Sequence, residues 1–230
     1  MKITERQSPA GGWRFAAPWR FLGIGRFLVF GMVLAVVLIS CVRAFWVDVF
    51  YIPSASMEPL LQEGDRILVS RTAYQGHLPA RGDLVVFDGR GSLSPADSGK
   101  GPVLDFFTSV GQWLGVIGQD TVYVKRVIGV PGDRVHCCTA SGRLEVNGAA
   151  VHEPYLYPGD VAGDFAFTVQ VPPGTLWLMG DHRSVSRDSR SLLGAPGGGM
   201  IPVGEVLGRP EEIVWPLDRL RQIPSPAAGR

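Results

Sequence analysis

The chain has 230 residues, with 22 basic and 21 acidic side chains and a formal net charge of +1. That balance excludes a strongly basic surface, so no nucleic-acid partner is expected. Three cysteines, Cys41, Cys137 and Cys138, exclude a disulfide framework and lack zinc-site spacing, so neither a metal nor a cofactor is expected. Residues 1–26 read as a basic tail carrying Lys2, Arg6, Arg14, Arg20 and Arg26. Phe27 to Val42 is free of charge and is bracketed by Arg26 and Arg43. Sixteen helical residues span roughly 24 Å, against a hydrocarbon core of roughly 30 Å. Snorkelling by Arg43 lengthens the span and gives a single transmembrane anchor at 27–46. Basic residues before it put the N-terminus in the cytoplasm and the rest of the chain outside the cell membrane. Two other readings stay open. Val42-Arg43-Ala44 resembles the processing site of a cleaved signal peptide, and Leu38-Ile39-Ser40-Cys41 resembles a lipoprotein box with Cys41 lipidated. The long preceding tail and the position of Arg43 favour a retained anchor.

Residues 47–216 read as one extracytoplasmic domain, mainly β, of barrel or sandwich type. Thirty glycines and eighteen prolines supply the turns. Strands are expected at Val47–Ile52, Arg66–Ser70, Leu84–Phe87 and Thr121–Val130. Two of them follow Gly64-Asp65 and Gly82-Asp83. Arg134–Cys138 and Arg143–Val146 form a hairpin across Ser141-Gly142, and Asn147-Gly148 marks the next turn. Phe165–Val171 and Leu176–Met179 complete the set, with a sub-domain at about 134–175. The stretch 89–120 is an insertion whose apolar part, Val103 to Ile117, reads equally as a core helix or as one lying in the membrane interface. Leu217 to Arg230 reads as a loose tail. The vicinal pair Cys137-Cys138 is expected to be free, because its Cα atoms lie about 3.8 Å apart across a trans peptide, below the usual disulfide window of about 4.4–6.8 Å.

Three blocks carry chemistry. Ser54 and Ser56 sit in an irregular turn between Pro53 and Pro59, two residues apart and so on one side of an extended stretch. Alone, the pair reads as a turn that hydrogen-bonds its own backbone. Lys125 lies in the apolar run Tyr123-Val124-Lys125-Arg126-Val127-Ile128. Alternation puts it on the face of Tyr123 and Val127, with Arg126 opposite, one cation dry and the other solvated. An ordinary lysine has a pKa of about 10.4, and burial lowers it enough for the neutral amine to act as a base. The third block, Gly180-Asp181-His182-Arg183-Ser184-Val185-Ser186-Arg187-Asp188-Ser189-Arg190, follows an apolar strand. There Gly180 permits close backbone approach, Ser186 is placed to bond the lysine amine, and Asp188 and Arg190 form a brace.

In this order behind an anchor, Pro53 to Pro59, Gly64-Asp65 with Val69, Lys125 to Asp133 and Gly180 to Arg190 resemble the type I signal peptidases, and a single anchor with the Cys137-Cys138 pair resembles their actinobacterial members. The resemblance implies a membrane-bound serine endopeptidase, needing no metal or cofactor, that removes signal peptides from translocated preproteins. It implies Ser56 as nucleophile and Lys125 as general base. Ser54 joins the Ser56 N–H in the oxyanion hole, Ser186 positions Lys125, and Asp181 partners Arg126 while Asp188 partners Arg190. The implied partners are preprotein signal peptides and membrane lipid, with the secretion translocon as a neighbour. The chain departs from the family after Arg190, where Ser191-Leu192-Leu193-Gly194 precedes a glycine-rich stretch. Ile52, Met57 and Val127 are the candidates for substrate pockets by adjacency. Three rivals remain: a Ser-His-Asp hydrolase using His182, a self-cleaving repressor-like protein, and a non-catalytic anchored β domain that binds partners.

Overall fold

The computed structural model describes residues 19–90, 92–93 and 121–224. The apolar stretch Val103 to Ile117, nearly all of the insertion, and residues 1–18 of the basic tail lie outside them. The chain divides into two units between Val42 and Arg43. In the first, helix α1 runs Trp19–Phe45, continuing past the boundary, and Phe27, Leu28 and Phe30 on it are exposed. Among the described residues, no helix is long and apolar enough to cross a membrane.

The second unit is mainly β. Its strands are β1 (Val47–Tyr51), β2 (Arg66–Ser70), β3 (Leu84–Asp88), β4 (Val122–Gly129), β5 (Arg134–Cys137), β6 (Glu145–Val146), β7 (Ala149–Ala150), β8 (Phe167–Gln170), β9 (Thr175–Met179), β10 (Ile201–Pro202), β11 (Val206–Trp215) and β12 (Arg221–Gln222). One antiparallel sheet has the order β1-β2-β11-β3-β4-β9-β10, with β12 added to β11. A second, β7-β6-β5-β8, occupies 134–170.

One local device starts three of these strands. Gly64-Asp65, Gly82-Asp83 and Gly132-Asp133 each put glycine at positive φ (94°, 88° and 90°), a conformation the turn needs and L side chains resist. Each aspartate then accepts the backbone N–H of the residue three positions earlier, Gln62 at 2.8 Å, Ala80 at 2.9 Å and Val130 at 2.9 Å. The turns feed β2, β3 and β5. Asn147 and Gly148, at φ 56° and 78°, close the β6–β7 hairpin as a turn requiring two left-handed residues.

Apolar residues gather in three clusters. Phe50, Ile67, Val69, Val86 and Ile213 pack on one face of the larger sheet. Val85, Phe87, Val127 and Leu178 pack on the other. Trp177, Val135, Leu144 and Phe167 join β9 to the smaller sheet.

Two expectations are corrected and one strand is added. Residues from Leu217 are not a loose tail throughout: β12 pairs with β11, Ile223 is buried in the first cluster, and Arg219 makes a fork to Asp65 with both bonds at 2.8 Å. Cys137 and Cys138 are not free thiols. They form a disulfide, and the peptide bond between them is cis, with the Cα atoms 3.0 Å apart; the expectation had assumed a trans peptide. The longest strand, β11, had no counterpart in the sequence reading. Gly208 and Pro210 interrupt it, and its register shifts beside both. Glycine is required at 208 because a Cβ there would lie 2.3 Å from the Ser70 carbonyl oxygen.

Candidate active site

Ser56 lies in a single 3-10 turn, Ala55–Met57, inside a loop whose neck is sewn shut. Ile52 N–H donates to Asp65 O and Gly64 N–H donates to Ile52 O, both at 2.9 Å. Met57 and Leu61 plug the loop into the core. Lys125 approaches from the middle of β4, opposite Val85 of β3, one residue before the pairing of β4 with β9 begins at Arg126. The two side chains meet: Lys125 Nζ donates to Ser56 Oγ at 2.6 Å. Ser54 Oγ lies 3.3 Å from Ser56 Oγ.

Lys125 is 2% exposed. Burial lowers its pKa from 10.5 to about 8, with Asp188 and Asp181 opposing the shift and Arg190 assisting it. Among the described residues, no carboxylate bonds the amine. Its hydrogen-bond partner is a neutral hydroxyl, which does little to offset the desolvation of an ammonium.

Arg126 is not solvated, as alternation alone suggested. It is 5% exposed and makes a fork to Asp181 at 2.7 and 2.5 Å, a further bond to Gly82 O at 2.7 Å, and a contact over the Tyr155 ring at 3.9 Å. Burial raises the Asp181 pKa against the pull of Arg126. Asp188 accepts from Arg190 Nε and Nη2, both at 2.9 Å, and from Gly180 N–H at 3.0 Å. Burial alone would raise its pKa, but Arg190 and the Gly180 N–H outweigh that and lower it. Ser186 Oγ is buried without a hydrogen bond of normal geometry, though near enough to Asp188 to help hold its carboxylate ionised. The Lys125 amine is bonded to Ser56 rather than to Ser186. Gly180 lies where these elements converge: a Cβ on it would be 2.2 Å from Ser186 Oγ and 2.6 Å from Ser56 O.

A cleft of about 440 Å³ opens over the pair, walled by Ser54, Ser56, Lys125, Tyr123 and Val185, with Glu63 and Arg187 also lining it. The adjacency candidates do not line it. Ile52, Met57 and Val127 are buried in the core at 4%, 1% and 0% exposure. His182 does not bond Ser56 Oγ: its Nδ1 is 3.3 Å from the Ala55 carbonyl oxygen, so no serine–histidine pair is assembled. Sequence reasoning also passed over Arg183. Buried at 3% exposure, it donates to Gly180 O at 2.9 Å, to Ala162 O and to Glu153, tying the Gly180 loop to the smaller sheet's connections. Its place in a dense polar run was the available signal. Among the described residues, no group of His, Cys, Asp and Glu is arranged to hold a metal.

The comparisons agree in kind. Residues 26–215 match the family model described as signal peptidase, peptidase S26. The chain is 35% identical over 217 residues to a probable signal peptidase I of Mycobacterium leprae, covering 81% of this chain and 75% of the relative. It is 35% identical over 223 residues to a signal peptidase I of Mycobacterium tuberculosis (86% and 76%). Against a signal peptidase I of Bacillus licheniformis it is 31% identical over 201 residues (83% and 89%).

Proposed function

Since the chain belongs to the signal peptidase family, peptidase S26, a family of serine endopeptidases, we propose that it cleaves signal peptides from translocated preproteins, with Ser56 as nucleophile and neutral Lys125 as general base. The observation that carries this reading is the 2.6 Å bond from a buried amine to the Ser56 hydroxyl. Lys125 takes the hydroxyl proton as Ser56 Oγ attacks the scissile carbonyl, then passes it to the leaving amine. Water releases the acyl group by the same route, the serine–lysine version of the triad logic. Ser54 Oγ and the Ser56 N–H face the developing oxyanion. Ser186, buried beside Asp188, positions Lys125. The Arg126–Asp181 and Arg190–Asp188 forks hold the walls.

The substrate binds extended against a strand edge, small side chains entering the cleft. In this reading 27–46 is the single-pass membrane anchor behind a cytoplasmic tail at 1–26, the β domain at 47–216 is barrel-like and works outside the cell, and lipid and the translocon are neighbours. The apolar, exposed side chains of α1 support the anchor.

The test is incubation of the detergent-solubilised protein with a preprotein, followed by N-terminal sequencing. The wild type yields one mature N-terminus, and Ser56→Ala and Lys125→Ala yield none. Product from Ser56→Ala overturns the reading.

A further inference from the structure

His182 grips the turn that carries Ser56 in two places. Its backbone N–H donates to the Ser56 carbonyl oxygen at 3.2 Å, and its ring Nδ1 contacts the Ala55 carbonyl oxygen at 3.3 Å. The ring is stacked on Tyr157, with centroids 3.7 Å apart and planes 11° from parallel. Tyr157 N–H in turn donates to Asp181 O at 3.1 Å, so the stacking partner is tied to the same loop. A carbonyl oxygen only accepts, so Nδ1 carries the hydrogen in this contact. Glu58 Oε2, 3.8 Å from the same nitrogen, favours that tautomer.

The Ala55 carbonyl and the Ser56 N–H belong to one planar peptide unit, and in a trans unit they point to opposite sides. The Ala55 oxygen accepts the Glu58 N–H at 3.0 Å within the turn and the His182 ring as a second donor from outside it, and fixing the oxygen fixes the direction of the Ser56 N–H. We propose that His182 is a positioning residue of the oxyanion hole: its ring holds the Ala55 carbonyl and so aims the Ser56 N–H at the oxygen of the carbonyl under attack. Hydrogen bonds at the two ends of one peptide also polarise each other, so the ring strengthens the donor it aims. This rests on Ser56 as nucleophile with its own N–H in the oxyanion hole. The oxygen gains its charge only on the way to the transition state, so the contribution belongs to kcat and not to KM.

The experiment compares His182→Phe, which keeps the stack on Tyr157 and removes the donor, with His182→Asn, which keeps a donor and loses the stack. Ser56→Ala runs alongside. With the full-length protein in detergent and a preprotein substrate, His182→Phe lowers kcat about 10-fold. It leaves KM and the pH midpoint of activity unchanged, and His182→Asn recovers most of the loss. Wild-type kcat in His182→Phe, a loss carried by KM, a displaced pH midpoint, or His182→Asn no better than His182→Phe each overturns the proposal. An active Ser56→Ala variant overturns the nucleophile assignment instead, whatever the His182 variants do.

Discussion

Lys125 and Arg126 are neighbours on β4, face opposite ways, and are almost equally sealed, at 2% and 5% exposure. Burial therefore does not distinguish them; their partners do. Arg126 meets a carboxylate in a two-point fork and stays charged, as a guanidinium must. Lys125 meets a hydroxyl, and the carboxylates that favour its charge act without bonding it. One strand thus holds a brace on one face and, in the proposed reading, a base on the other. A buried cation becomes a reagent only where the structure withholds its counter-ion.

Methionine at each position separates the two roles. Lys125→Met is expected to cut cleavage by about 10³-fold or more while leaving the melting temperature level or higher, because an apolar chain of similar volume replaces a desolvated amine. Arg126→Met strands Asp181 and is expected to cost about 3–5 kcal/mol of stability. Equal destabilisation in thermal melts of the two variants would break the comparison. Gly180 sits between the two arrangements. Gly180→Ala pushes on Ser186 and on the Ser56 carbonyl, and steady-state assays should record about a 100-fold loss of kcat/KM.

Acidity tests the lysine face alone. In the proposed mechanism only the neutral amine accepts the Ser56 proton, so the rate is expected to rise with pH through about 8 and to fall about tenfold per unit below that. The folded-state value lies below the ordinary 10.5. Between the two the unfolded chain binds more protons, so the wild type gains stability relative to Lys125→Met as pH rises across that window. An activity maximum in acid would remove the neutral amine from the mechanism. The smallest effect is expected at the loop neck. Arg219→Ala takes away the fork on Asp65 for about 1–2 kcal/mol, read as a lower melting temperature.

Strands written in undiluted apolar alternation or opened by a Gly-Asp turn were legible, to within a residue or two at β2, β3, β4 and β9. β11 was not. Val206-Leu207-Gly208-Arg209-Pro210-Glu211-Glu212-Ile213 carries a proline, a glycine and two acids, which argue against a central strand. The protein accommodates them with register shifts, and the strand changes partner from β3 to β2 there. At the site, the serine and lysine could be read because each stands in an unusual context. The cleft walls were read only in part: Tyr123 shares the face of Lys125 as alternation indicated, but Ile52, Met57 and Val127 point into the core, and Val185 comes from a distant segment. The partner of Arg126, Asp181, lies 55 residues away: the family resemblance named it, whereas alternation along β4 sent Arg126 to solvent.

The seam at β11 has a consequence for alignment. β1 and β2 flank the segment bearing the hydroxyl, β3 and β4 carry the amine, and these two pairs do not touch each other in the sheet order; β11 fills the gap between them. The register between the two pairs is thus set through β11, and the bond from His182 N–H to the Ser56 carbonyl oxygen ties the serine turn to the strands on the other side of that seam.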